Sequence, residues 1–348
     1  MLSSGNFSQM RDVLMMCFFA TLLFTITPVS KFHPLFYPDK ESFSYTRASV
    51  GGSLVLGAIL FGMGMQLGSG CATGTLVGMG EGTVKSWVVF VFFVAGATFG
   101  SCDPVYEWWN GLKAAGPVNL FWYGTLIILV VLFALCFVGD FVRIKMTKNE
   151  EFTLKSGRML MTIGNDQDEE EKPMLKEIIR RIIVNFIIAL CVYCFFICDG
   201  STIGVMGVFA YVGADFLKIF KVDPNSWEFF KSRGGVPNNL MDTDIFISDC
   251  AIILGAFVAS TLKKDFGCTQ KNTIVEHVKG IFGGFLMGIG ARMASGCNIG
   301  SMLSGITSFS LHGFIWMLSA IAGSAIVIYT IKLIDYLKER RNPTYQQL

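Results

Sequence analysis

The chain has 348 residues, of which 52% are hydrophobic and 16% charged, and its formal net charge is +2. Soluble domains carry about a quarter charged residues, and nucleic-acid binders carry a basic excess that is missing here. An ordinary soluble domain and a nucleic-acid partner are both excluded, and the recurring apolar runs call for a lipid bilayer as solvent.

A span takes about 20 apolar residues. The sequence predicts eight of them, near 11–28, 48–66, 86–101, 119–140, 181–198, 246–262, 274–293 and 312–334. Two shorter apolar pieces, near 72–80 and 298–306, follow the second and seventh spans, and a third near 203–217 follows the fifth. They are too short to cross and too apolar for ordinary loops, so they read as re-entrant half-helices. The predicted fold is an all-α polytopic membrane protein with an inverted internal repeat. Its expected division is a first membrane repeat with a flanking helix (1–140), a hydrophilic linker (141–180), a second, inverted repeat (181–335) and a tail (336–348). The first apolar run has no obvious small-residue cleavage site after it and reads as a membrane segment.

Lysine and arginine near span ends mark the cytoplasmic side. The linker holds Arg143, Lys145, Lys148, Lys155, Arg158, Lys172, Lys176 and Arg180, together with the acidic run 166–171, which reads as solvated. Lys263, Lys264, Lys271 and the tail from Lys338 to Arg341 fall on the same side. Segments 29–47, 102–118 and 218–245 are then external, against the mild contrary weight of Lys31, Lys40 and Arg47.

The ten cysteines lack the spacing of a disulfide framework or a zinc site, and the three histidines are scattered at 33, 277 and 312. Cys191, Cys194 and Cys198 share one helix face and read as core packing, and Cys102, Cys250 and Cys268 are structural by default. No metal or cofactor is expected. There is no His-Glu-x-x-His, no phosphate-binding Gly-Lys-Ser or Gly-Lys-Thr motif and no nucleophile elbow, so no catalytic residue is assigned. Without an ATP site, transport would be passive or ion-coupled unless another subunit supplies energy.

An internal repeat is the dominant motif. Residues 60–74 read LFGMGMQLGSGCATG and residues 286–300 read LMGIGARMASGCNIG. Seven of the fifteen positions are identical: Leu60/Leu286, Gly62/Gly288, Gly64/Gly290, Ser69/Ser295, Gly70/Gly296, Cys71/Cys297 and Gly74/Gly300. The charge rule sends span 48–66 inward and span 274–293 outward, so the copies are inverted, as in transporters whose site lies between repeats near the bilayer midplane.

The paired Gly-x-Gly stretches remove side chains that would hold backbones apart. Gly70 and Gly296 allow a span to break and restart as a short helix. The freed amides must then be buried in protein or line a wet cavity, and they favour an anion. Ser69 and Ser295 fall where an N-cap would be. Cys71 and Cys297 place thiols beside the permeation axis, as weak, polarizable donors suited to a soft sulfur-bearing anion that must also leave. Arg292, opposite Gln66 in the alignment of the copies, either attracts the anion or pairs with backbone carbonyls. Glu81 and Lys85 read as a surface pair. Asp199-Gly200-Ser201-Thr202-Ile203-Gly204 resembles a helix break that opens the third half-helix, and Gly234–Asn239 is a turn-rich external loop.

At this motif, and from about residue 5 to 335, the chain resembles the YeeE/YedE family, whose characterised members take up thiosulfate. The resemblance implies an hourglass of helices with half-helices entering from both faces. It also implies thiosulfate passing between thiols by S–H hydrogen bonds, with Cys71 and Cys297 as the matching positions. The family carries a further cysteine in an N-terminal Phe-Cys stretch. The comparable residues here, Ser4 to Asp12, hold none, and the repeat predicts a partner for span 181–198 that would fall before residue 1, so either the N-terminus is shortened or that element has been lost. The expected function is a permease for thiosulfate or a related small sulfur anion, with a cytoplasmic sulfur-carrier protein as candidate partner. The alternative is a membrane thiol-redox or sulfur-transfer enzyme using the same cysteines covalently.

Overall fold

The computed structural model describes residues 8–27, 34, 43–113, 116–146, 174–267 and 273–341. In chain order the helices are α1 (Ser8–Ile26), α2 (Gly52–Gly68), α3 (Ala72–Gly80), α4 (Val84–Phe99), α5 (Asp103–Asn110), α6 (Phe121–Met146) and α7 (Met174–Asp199). There follow α8 (Gly207–Ile219), α9 (Glu228–Lys231), α10 (Asp244–Leu262), α11 (Ile274–Met293), a π-helical turn (Asn298–Leu303), α12 (Ser304–Thr307) and α13 (Leu311–Arg341). The acidic run 166–171, Cys268, Lys271, and residues 4–7 of the N-terminal stretch lie outside the described residues. So does the middle of the linker, whose two ends prolong α6 to Met146 and open α7 at Met174.

Among the described residues six helical runs are long and apolar enough to cross a membrane, or seven if α4 and α5, bent by 73°, form one span. By length and composition the chain is a multi-pass integral membrane protein. Of the eight spans expected, α1 and α4 stand outside the six; α4 has only 16 residues and reaches further only through its bent continuation. The third half-helix starts at Gly207, four residues later than the sequence suggests, because the Ile203–Met206 stretch stays non-helical after the break at Gly200 (φ 76°).

Contacts divide the chain into two units that alternate along it. In the smaller one α1 packs against α6 and α7. Arg181 Nη1 donates to Asp12 Oδ2 at 2.9 Å, tying α7 to α1. Phe196 is stacked between Phe24 (centroids 4.4 Å apart) and Phe43 (4.9 Å). Cys191 and Cys194 are exposed on α7 and do not pack a core; the buried face of that helix is taken by Phe196 and Ala189 instead.

The larger unit is built on α2 and α11, with α4 and α13 packed on them. Water-driven burial is weak in lipid, so helices there associate by close backbone approach at small residues. A β-carbon added at Gly57 would stand 2.6 Å from Ala294 N and 2.7 Å from Gly290 O. One added at Gly64 would stand 2.6 Å from Gly283 O and 2.8 Å from Met287 N. Rising numbers on α2 meet falling numbers on α11, so the two helices run antiparallel. The contacts also come in matched pairs. Gly57 against Gly290 is repeated as Gly283 against Gly64, and Gly62 against Ala320 as Gly288 against Phe93 and Ala97. Gly96 against Phe285 is repeated as Gly323 against Ile59. The two copies of the motif therefore occupy equivalent positions with opposite chain direction.

The Gly234–Gly235 loop is a packed connection. Both glycines have positive φ (84° and 92°), and Gly235 N–H returns to Phe230 O at 2.8 Å. Phe229 and Phe230 join Tyr106, Trp109, Ala210 and Ala214 in a buried cluster. Glu228 N–H donates to Asp103 Oδ1 at 2.7 Å, fixing α9 on α5.

Candidate functional site

Both copies of Ser-Gly-Cys make the same backbone turn. α2 ends at Gly68, Ser69 takes a left-handed conformation (φ 64°), and Gly70 N–H returns to Met65 O at 3.1 Å. α11 ends at Met293, Ser295 is left-handed (φ 59°), and Gly296 N–H returns to Ala291 O at 2.9 Å. These bonds close the last carbonyls of each broken span. A left-handed serine costs about 1–3 kcal/mol, and such strain concentrates where geometry serves a purpose. Here it occurs twice, 226 residues apart in the alignment of Ser69 with Ser295.

The cap assignment differs from the one expected. Ser69 and Ser295 close the preceding turns, and the residues that open the next helices are the cysteines. Cys71 is the N-cap of α3, with Sγ accepting from Gly74 N–H at 3.5 Å. Cys297 holds the same place before the π-helical turn. Thr75 N–H to Cys71 O (2.9 Å) and Ser301 N–H to Cys297 O (2.8 Å) repeat the match. A serine needs φ < 0 to cap a helix; the left-handed turn hands that role to the residue two positions on.

Both thiols are free; Cys71 is half-buried and Cys297 buried. Cys71 and Asp249 lie within electrostatic range of Cys297. Trp316 Nε1 donates to Gly296 O at 3.2 Å and packs 5.4 Å from Phe61, bracing the second turn against α2. The motif's variable positions add polar atoms: Thr73 Oγ1 and Asn298 Oδ1 are buried with no hydrogen-bond partner among the described residues. Buried polar groups are almost always paired, which sets these two atoms beside the two cysteines apart.

Arg292 reaches the start of α8, where Nη2 donates to Met206 O, and its guanidinium stands 5.7 Å from the Phe229 ring centre. Of the two roles open to it, the carbonyl contact is the one the structure contains.

Lys85 is the largest departure from the expected picture. It does not form a surface pair with Glu81: it is buried, and Nζ donates to Ser69 Oγ and to Glu276 Oε2, both at 2.7 Å. Glu276 opens α11 and belongs to the other repeat, 191 residues away in sequence. Lys85, Thr73, Asn298 and Asp249 are the polar residues that sequence reasoning missed around the motif. Thr73 and Asn298 could have been found as the unmatched letters inside Cys-x-x-Gly; Lys85 and Asp249 carry no local signal.

Comparison with known proteins identifies relatives over most of the chain. The thiosulfate transporter TsuA of Spirochaeta thermophila is 24% identical over 291 residues, covering 78% of this chain and 74% of that protein. The TsuA of Escherichia coli is 26% identical over 298 residues, 82% of this chain and 75% of its own length. The probable transporter YedE of Salmonella typhimurium is 28% identical over a shorter stretch of 127 residues, 36% of this chain and 31% of the relative. With a family model for sulphur transport matching residues 1–326, on an all-helical membrane fold with the doubled cysteine break, the chain belongs to the sulphur transport (YeeE/YedE) family.

Proposed function

We propose that this protein carries thiosulfate, or a closely related small sulfur oxyanion, across the cell membrane past Cys71 and Cys297, and releases it chemically unchanged. The observation that carries this reading is the matched pair of broken spans, each restarting at a free thiol in the N-cap position. A thiol there donates weakly and accepts weakly, so it can replace part of an anion's hydration without trapping it. The nine-residue α3 adds amides that favour negative charge at its N-terminus. Thr73 and Asn298 supply stronger polar contacts beside the thiols. Arg292 stays in this reading as a support for the second motif, holding it to α8. Delivery to the cytoplasm suits a soluble sulfur-carrier protein as the recipient.

The test is uptake of radiolabelled thiosulfate into proteoliposomes by the wild type, Cys71→Ala and Cys297→Ala. Each substitution should lower uptake at least about tenfold, the loss of one charge-assisted contact, while the proteins elute as folded species. Equal uptake by all three would overturn the thiol pathway, and recovery of altered solute would overturn transport without chemistry.

A further inference from the structure

We propose that Lys85 is the anion-selecting residue at the Cys71 end of the pathway, and that the Glu276 carboxylate is a resident counter-ion which the travelling anion displaces. This rests on the reading of the protein as a sulfur oxyanion carrier and names a group in that site which the motif does not contain.

The ammonium stands in a prepared place. Lys85 lies in the first turn of α4, and its side chain is 7% exposed. Its stem passes over Gly280 of α11, where a β-carbon would come within 3.8 Å of Cγ and 3.9 Å of Cε. Nζ reaches Ser69 Oγ, and Ser69 is the left-handed residue two before Cys71. An ammonium has three donors. One is spent on Ser69 and one on Glu276. The charge therefore sits beside the helix break itself.

The two partners of the ion pair are unequally held. Glu276 is 39% exposed and is shared with Lys279, whose Nζ is 3.9 Å from Oε1. Its carboxylate can turn to water and to Lys279, whereas the buried Lys85 cannot follow. An unpaired buried charge is strongly disfavoured, so Lys85 needs an anion at all times. In the resting protein Glu276 is that anion. A sulfur oxyanion presenting terminal oxygens offers the same chemistry to Nζ, with the Ser69 hydroxyl alongside and Cys71 two residues further along the chain. Exchange of one anion for another holds the charge balance while the solute passes, and a neutral solute gains nothing from it.

The other copy of the site lacks this feature. Gly96 and Gly323 are equivalent in the packing, an offset of 227, and the same offset places His312 opposite Lys85. His312 is buried, with Nδ1 2.8 Å from Ser310 Oγ. The repeat is symmetric in its thiols but not at this position; the cation of the second copy is Arg292, which is committed to Met206 O.

The experiment compares half-saturating thiosulfate concentrations in proteoliposomes for the wild type, Lys85→Met, Glu276→Gln and, as a marker of the pathway, Cys71→Ala. Lys85→Met should raise the half-saturating concentration about tenfold or more, the worth of one charge-assisted hydrogen bond. Glu276→Gln should lower it, because the competitor for the ammonium is gone; misfolding cannot produce that change. A salt bridge that merely staples α4 to α11 predicts impairment by both substitutions, and that result overturns the proposal, as does an unchanged half-saturation in Lys85→Met while Cys71→Ala fails. A wild type that moves no thiosulfate overturns the functional reading and this inference together.

Discussion

Two serines and a lysine show what single residues contribute here. Ser295 is exposed, left-handed and carries no cap. Glycine relieves that conformation and a β-branched residue aggravates it. Ser295→Gly should leave the thermal unfolding midpoint of the detergent-solubilised protein unchanged or slightly higher. Ser295→Val should lower it by a few degrees, for a strain of about 1–3 kcal/mol. Equal midpoints would show that the turn tolerates the side chain. At this scale the place of Cys71 and Cys297 at two matching breaks was legible because identical letters recur at one spacing. Lys85 was not, since nothing near it in the chain announces Glu276, and burial of a lysine is decided by the packing of α4 on α11. The serines were legible as special but assigned the wrong end of the helix: the motif says that the chain breaks, and only the sign of φ says which residue closes and which reopens.

Helices in the larger unit are positioned by absent side chains. Gly57, Gly64, Gly283 and Gly290 face one another's backbones across the α2–α11 seam. Leucine at Gly57 or Gly290 should destabilise by about 1–3 kcal/mol or more through overpacking. Gly255, on α10 with nothing within 4 Å of an added β-carbon, should accept leucine with little effect. Thermal stability by size-exclusion chromatography compares the three directly; equal losses would refute the seam. The positions of most spans could be read from hydropathy alone. Their ends could not, because α4 is short and continues through a bend, and α8 waits for the chain to turn at Gly200 before it starts. The surface-exposed Cys191 and Cys194 show the same weakness. Three sulfurs on one helix face look like a core stripe, yet in a bilayer an apolar face is equally at home against lipid.

Among the described residues the larger unit is two copies of one plan facing opposite ways, and the smaller unit holds α1, α6 and α7. Charge asymmetry sets the sidedness of such a plan. Gly267 N–H bonds Glu81 O at 3.0 Å, so the α3–α4 turn shares its side with Lys263 and Lys264. The lysine and arginine distribution predicts that side to be cytoplasmic, with Lys85 and Cys71 in its half. Lys263→Cys should react with a membrane-impermeant maleimide only in inside-out vesicles, and Gly116→Cys only in right-side-out ones. The reverse labelling would turn the protein over and make Cys71 the entrance.

The backbone-on-backbone seam between α2 and α11 has a mechanical consequence. Each helix is notched to the other at two places related by the repeat, so sliding in either direction drives a carbonyl into a neighbour at both. The pair behaves as an axle with no end play. Under the proposed function, movement that admits a solute would then fall to the pieces that follow the two breaks, α3 and the π-helical turn.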